Sequence, residues 1–144
     1  MSYIRQVEIR WSDLDPNYHV RHSAYYDFGA YCRLAFLNDH GITPEVMLRH
    51  SLGPVLFREE CVFKKEITLA DKITIDLKLV KAKKDGSRFT MQHQIFKNNE
   101  IAAAIITLDA AWIDTVKRKL TLPPAEALQT LELSPKTEGF EWLV

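Results

Sequence analysis

One stretch limits what this chain can fold into more than any other: the segment from about residue 23 to 37, SAYYDFGAYCRLAFL. Apolar residues recur there at Tyr25, Phe28, Gly29, Cys32 and Phe36, the i, i+3, i+4, i+7 spacing of one helix face. Tyr26, Ala30, Tyr31, Ala35 and Leu37 fill much of the remaining circumference. A helix apolar on most sides needs other structure around it rather than on one flank only. Ser23 is the expected N-cap, and Asn38 to Gly41 is the expected stop. Thr43-Pro44-Glu45 then reads as a cap and a first-turn proline for a short helix reaching His50.

What surrounds that helix must be sheet, because little else is predicted. Residues 3–11 alternate in part through Ile4, Val7, Ile9 and Trp11. From residue 54 to 115 the chain reads as strand, with Ile73, Ile75, Leu77, Leu79 and then Phe89, Met91, His93, Ile95 on one face of two successive runs. Lys84-Asp85-Gly86-Ser87 joins those runs as a hairpin turn, and Asn98-Asn99 turns the chain into the next strand. Pro123-Pro124 opens a last helix. No repeat, low-complexity tract or linker divides the chain, so the expectation is one domain over residues 1–133 with a tail over 134–144. The pattern predicts an α+β architecture, one curved antiparallel sheet of about five strands wrapped around one long helix. So curved a sheet leaves open edges, and pairing with a second copy covers them, predicting a homodimer at least and leaving dimer or tetramer open.

Charge narrows the partners. Nineteen basic residues balance nineteen acidic ones for a formal net charge of zero, which argues against nucleic acid and membrane surfaces. Cys32 and Cys61 lack metal-site spacing and sit among apolar neighbours, which reads as two small buried side chains in a reducing, cytoplasmic setting. The first residues show no signal core, and the weakly polar run 101–108 is too short to cross a bilayer.

The chemistry concentrates in WSDLDPNYHVRHSAYY, which brings carboxylates and histidines up to a helix start. Amides in a first helical turn are unpaired and positively polarised, so they suit a developing oxyanion. Asp13-Leu14-Asp15-Pro16, then His19-Val20, then His22-Ser23-Ala24-Tyr25, resembles the 4-hydroxybenzoyl-coenzyme A thioesterase branch of the hot-dog fold superfamily, with Arg33 about two turns into the helix. The likeness continues through Arg58, Leu69-Ala70-Asp71 and Leu122-Pro123. It implies a hot-dog fold and hydrolysis of an acyl-coenzyme A to free acid and coenzyme A. On that resemblance Asp15 is the catalytic carboxylate, as general base or nucleophile, and the His22 amide polarises the thioester carbonyl. Ser23, Tyr25, Arg58 and Glu59 are the substrate-binding candidates, and Lys83, Lys84 and Arg88 the candidates for the phosphates of coenzyme A. No metal or separate cofactor is required, since coenzyme A arrives as part of the substrate. The chain departs from many relatives at Tyr18, at Arg21-His22 and at Ala30, where a Gly, an Asn pair and a Glu are common.

Each candidate also has an ordinary account. Asp before Pro is a turn former, and Asp13 is expected only to brace the loop. His93 lies on an apolar strand face as a satisfied interior histidine, and the basic hairpin is a solvated surface that resists edge pairing. Two competing functions stand beside hydrolysis: a non-catalytic acyl-thioester binding module, and a hydro-lyase that pairs a loop His with a helix carboxylate, here Asp27.

Overall fold

The computed structural model describes residues 2–144. Strand β1 (Ile4–Val7) and a single 3-10 turn lead into helix α1 (Ala24–Asp39), followed by α2 (Pro44–Arg49). Strands β2 (Leu52–Phe63), β3 (Ile73–Asp76), β4 (Lys78–Lys83), β5 (Arg88–Lys97), β6 (Ile101–Asp114) and β7 (Lys119–Leu120) come next. Helix α3 (Ala125–Leu133) and strand β8 (Lys136–Leu143) close the fold. β2 pairs with β6, β6 with β5, and β5 with both β3 and β4, all antiparallel. β3 and β4 are two halves of one bent strand. Its outer edge is shared by β1, antiparallel on β3, and β8, parallel on β4.

The sheet curls around α1 for local reasons. Register shifts interrupt β2 between Leu56 and Arg58, β4 between Leu79 and Lys81, and the β5–β6 ladder after Ile95. Each extra residue bends its strand and tightens its twist. At Gly29 a Cβ would meet Arg33 Nη1 at 3.2 Å and His93 Cδ2 at 3.3 Å, so a larger residue would press these side chains back by a few tenths of an ångström where α1 lies against β5. In the β4–β5 turn Gly86 has φ +77, and a side chain there would meet Leu128 at 2.7 Å, which locks the turn against α3.

The predicted fold is the one found: a hot-dog architecture with a long helix across a curled antiparallel sheet. Three details differ. Residues 134–144, expected as a tail, supply β8, which completes the sheet edge instead of trailing from it. Ser23 has helical dihedrals (φ −71, ψ −22) and makes no capping bond, because its hydroxyl accepts from Arg21 Nη1. Thr43 does cap α2, accepting from the Val46 amide at 3.2 Å. Finally, α1 is covered on one face only: Ala24, Tyr25, Phe28, Cys32 and Phe36 are buried, while Tyr31 and Leu34 stand exposed. One sheet cannot reach both sides of one helix. Among the described residues no helix is long and apolar enough to cross a membrane.

Candidate active site

The loop before α1 is held by its first aspartate. Asp13 is fully buried and accepts from Arg10 three times, from its amide (2.9 Å), Nη2 (2.9 Å) and Nε (3.3 Å), while its own carbonyl takes the Arg21 amide (2.7 Å). Burial pushes the Asp13 carboxyl upward, but the bonds from Arg10 outweigh it and hold the group below the usual carboxylate range. Asp13 is therefore a brace, as expected.

Asp15 has a different setting. It opens a turn through Pro16 and Asn17, closed by the Tyr18 amide on the Asp15 carbonyl (2.9 Å), with Tyr18 in the left-handed region at φ 62. Its Oδ1 accepts the amides of Asn17 (2.9 Å) and His19 (3.1 Å). Its Oδ2 makes no hydrogen bond among the described residues, so one oxygen anchors the turn and the other is available. The Val20 amide on Ile67 O (2.7 Å) ties the loop to the strand side of the fold.

A cleft of about 360 Å³ adjoins this turn, lined by Asp15, His19, Val20, His22 and Tyr25 from the loop and helix start, and by residues 63–66 opposite. At the start of α1 the Ala24 amide bonds to Arg21 O (3.0 Å), whereas those of His22, Ser23, Tyr25 and Tyr26 meet no partner among the described residues. With no cap on the first turn, these donors and their partial positive charge remain free for a ligand oxygen. Tyr25 is buried, its ring edge-on to Phe63 at 4.9 Å, and burial pushes its phenol to about 12. It is a neutral wall of the cleft. His19 meets Glu66 at 3.1 Å.

Sequence reasoning named Asp15, His22 and Tyr25, and the fold brings all three to one cleft. It missed the opposite wall, Phe63, Lys64, Lys65 and Glu66. The apolar-to-basic switch at the end of β2 was the available signal, but which helix end that strand reaches is set by tertiary register.

The remaining candidates lie elsewhere. Ser23 is exposed and held by Arg21. Arg58 is exposed on β2, paired with Glu60 at 2.7 Å and Asp109 at 3.8 Å. Glu59 faces Arg33 at 3.6 Å, with its buried Oε2 lacking a hydrogen bond. Lys83 and Arg88 do converge, with Lys81 and Phe57, on a second cleft of about 310 Å³ in which the Arg88 guanidinium sits 4.8 Å over the Phe57 ring. Lys84 is outside it, on the turn, its amide bonded to Leu143 O. His93 is fully buried between the Asp76 carbonyl (Nδ1, 2.7 Å) and Arg33 Nη1 (Nε2, 3.1 Å). One neighbour only accepts and the other only donates, so the proton sits on Nδ1 and the ring is neutral. Burial, with Arg33 beside it, lowers its pKa to about 4.

Comparison with known proteins follows the same lines. The sequence profile of the Thioesterase-like superfamily matches residues 9–131. No curated protein matches the chain. A hypothetical protein from Staphylococcus aureus, solved in complex with CoA, superposes with a TM-score of 0.86 at 14% identity, covering 95% of this chain and 87% of that one. A hypothetical protein from Aquifex aeolicus gives 0.78 at 26% identity, over 91% of this chain and 98% of that one. A 1,4-dihydroxy-2-naphthoyl-CoA thioesterase from Synechocystis gives 0.80 at 13% identity, over 91% and 96%.

Proposed function

The chain belongs to the thioesterase-like superfamily, and from that premise we propose that it hydrolyses an acyl-coenzyme A thioester in the cleft at the start of α1. One observation carries the proposal: a carboxylate with a free oxygen and two residues with unpaired amides at the start of α1, His22 and Tyr25, line the same cleft. The thioester carbonyl sits against the helix start, where the His22 amide and its neighbours stabilise the oxyanion. Asp15 Oδ2 takes a proton from water as the water oxygen adds to the carbonyl carbon. Collapse of the adduct breaks the C–S bond, and the departing thiolate recovers the proton. As nucleophile instead, Asp15 Oδ2 adds to the carbonyl carbon, the C–S bond breaks to release the coenzyme A thiolate, and water opens the resulting mixed anhydride to free acid and the Asp15 carboxylate. Neither route draws on a metal or redox cofactor. The order of residues from Asp13 to Tyr25 favours the 4-hydroxybenzoyl-coenzyme A thioesterase-like branch.

The cationic cleft of Lys81, Lys83 and Arg88 suits the phosphates of coenzyme A, with Phe57 as an apolar floor. It lies along β2 from the Asp15 cleft, so we place it within reach of a substrate bound to the second subunit of a homodimer that joins along β2. Two free thiols, Cys32 and Cys61, fit a cytoplasmic protein.

The test is release of free thiol from a panel of short, long and aromatic acyl-coenzyme A donors. Asp15→Asn keeps an Oδ1 acceptor for the Asn17 and His19 amides, so it should lower kcat about 10²–10⁴-fold with little change in Tm. Asp15→Ala should lower both. The turn formed around Oδ1 also favours a second reading, an acyl-thioester binding module in which Asp15 only shapes the loop. Binding of acyl-coenzyme A without thiol release by any donor would select that reading and end the hydrolase one.

A further inference from the structure

Four successive residues, Phe63 to Glu66, line the wall of the cleft opposite Asp15. Side chains of a regular strand alternate between its two faces, so four in a row cannot share one wall. Here the amides of Lys64 and Lys65 both donate to the Ala103 carbonyl, at 2.8 and 3.0 Å. Two residues set against one is the pattern of a β-bulge, which re-aims side chains where a ladder ends. The bulge brings two adjacent lysines to the same cleft.

Their charge is unspent. Among the described residues neither Lys64 nor Lys65 forms an ion pair. Glu66, the acid beside them in sequence, meets His19 at 3.1 Å instead. By contrast Lys97, which donates to the Glu66 carbonyl at 2.7 Å, is paired with Asp71 at 3.7 Å. The coenzyme A end of a substrate does not supply the missing anion beside the reacting carbon. Its pantetheine arm is uncharged and holds the phosphates many bonds away from the thioester sulfur. Cations lining the cleft of the reacting carbonyl therefore face the acyl end. We infer that Lys64 and Lys65 form a subsite for an acidic group on that end, so that the preferred donor is the coenzyme A thioester of a dicarboxylic acid. The inference rests on the hydrolase reading for what occupies the cleft.

Adipoyl-coenzyme A and 6-methylheptanoyl-coenzyme A are matched probes: length and shape agree, and a carboxylate in one is an isopropyl group in the other. Calorimetric titration uses the full chain carrying Asp15→Asn, which keeps the turn and slows cleavage of both. Lys64→Gln/Lys65→Gln in that background should lower the adipoyl-to-methylheptanoyl affinity ratio about five- to tenfold. Lys64→Arg/Lys65→Arg should preserve the ratio, and rising salt should shrink it. Both lysines are exposed, so Tm should hold in each variant. An unchanged ratio overturns the inference. That includes equal weakening of both donors, which would make the lysines contacts for the phosphates of coenzyme A. If the ratio is unchanged while the chain with Asp15 intact still cleaves the methylheptanoyl donor, the hydrolase reading survives alone. Binding of neither donor also overturns the inference, and the thiol-release panel then judges the hydrolase reading separately.

Discussion

At the scale of single residues, the loop before α1 divides labour between two carboxylates two positions apart. Asp13, with every contact internal, belongs to stability. Asp13→Ala should cost about 1–3 kcal/mol in denaturant unfolding, since it strips a part-buried backbone donor and a guanidinium of their acceptor. Its folded pKa is below its unfolded one. The stabilisation is therefore full above the unfolded value of about 3.9 and disappears as pH falls through the folded value. His93 acts at milder acidity. Its folded pKa near 4 lies below the unfolded value of about 6.5, so the unfolded chain takes up the proton first and stability falls as pH drops from about 6.5 toward 4. Urea unfolding of His93→Gln should show a flatter profile across that window, and an unchanged profile would locate the acid sensitivity elsewhere. The Asp15 position was legible from its neighbours in sequence, as was the satisfied interior role of His93. The Lys64-Lys65 wall was not, because it depends on what lies across the sheet.

At the scale of elements, the α3–β8 junction turns on one side chain. Lys136 Nζ donates to Glu132 O (2.7 Å) and Ser134 O (2.9 Å), the unpaired carbonyls at the end of α3, and sits 5.4 and 5.9 Å from the ring centroids of Phe140 and Trp142. Burial lowers its pKa, but the carbonyls and rings keep the charge useful. Lys136→Met should destabilise by about 1–2 kcal/mol and speed amide exchange across β8 well before the rest of the sheet opens. β8 escaped sequence reading for a physical reason. Lys-Thr-Glu-Gly-Phe-Glu-Trp-Leu alternates weakly, contains Gly139, and becomes a strand only by parallel pairing with a partner more than fifty residues away. The β4–β5 hairpin was readable because its turn is local: Gly86 and Asp85 fix it within four residues.

At the scale of the whole molecule, helix-then-sheet order was enough to predict the architecture, since a predominantly apolar helix followed by alternating strands has few ways to bury itself. The same pattern overstated the wrapping of α1, whose outer apolar residues are left uncovered in one chain. β2 continues that uncovered surface. Its outer side pairs with nothing among the described residues, and Leu56, Phe57, Val62 and Phe63 along it are 39–52% exposed. We expect wild type to sediment at twice the chain mass and the double variant Phe57→Lys/Val62→Lys to sediment at the chain mass. A monomeric wild type would refute assembly along this strand.

The strand at the far flank has the opposite character. β8 carries exposed Glu138 and Glu141 around a bare Gly139, where β2 carries leucine, valine and phenylalanine. On the proposed assembly through β2, growth of the sheet is self-limiting along β8: one flank recruits a neighbour, and the anionic fringe of β8 repels a newcomer. Such a molecule stops at a finite count of copies however crowded its surroundings become, and a lesion neutralising those two glutamates would be the one to watch for fibrils.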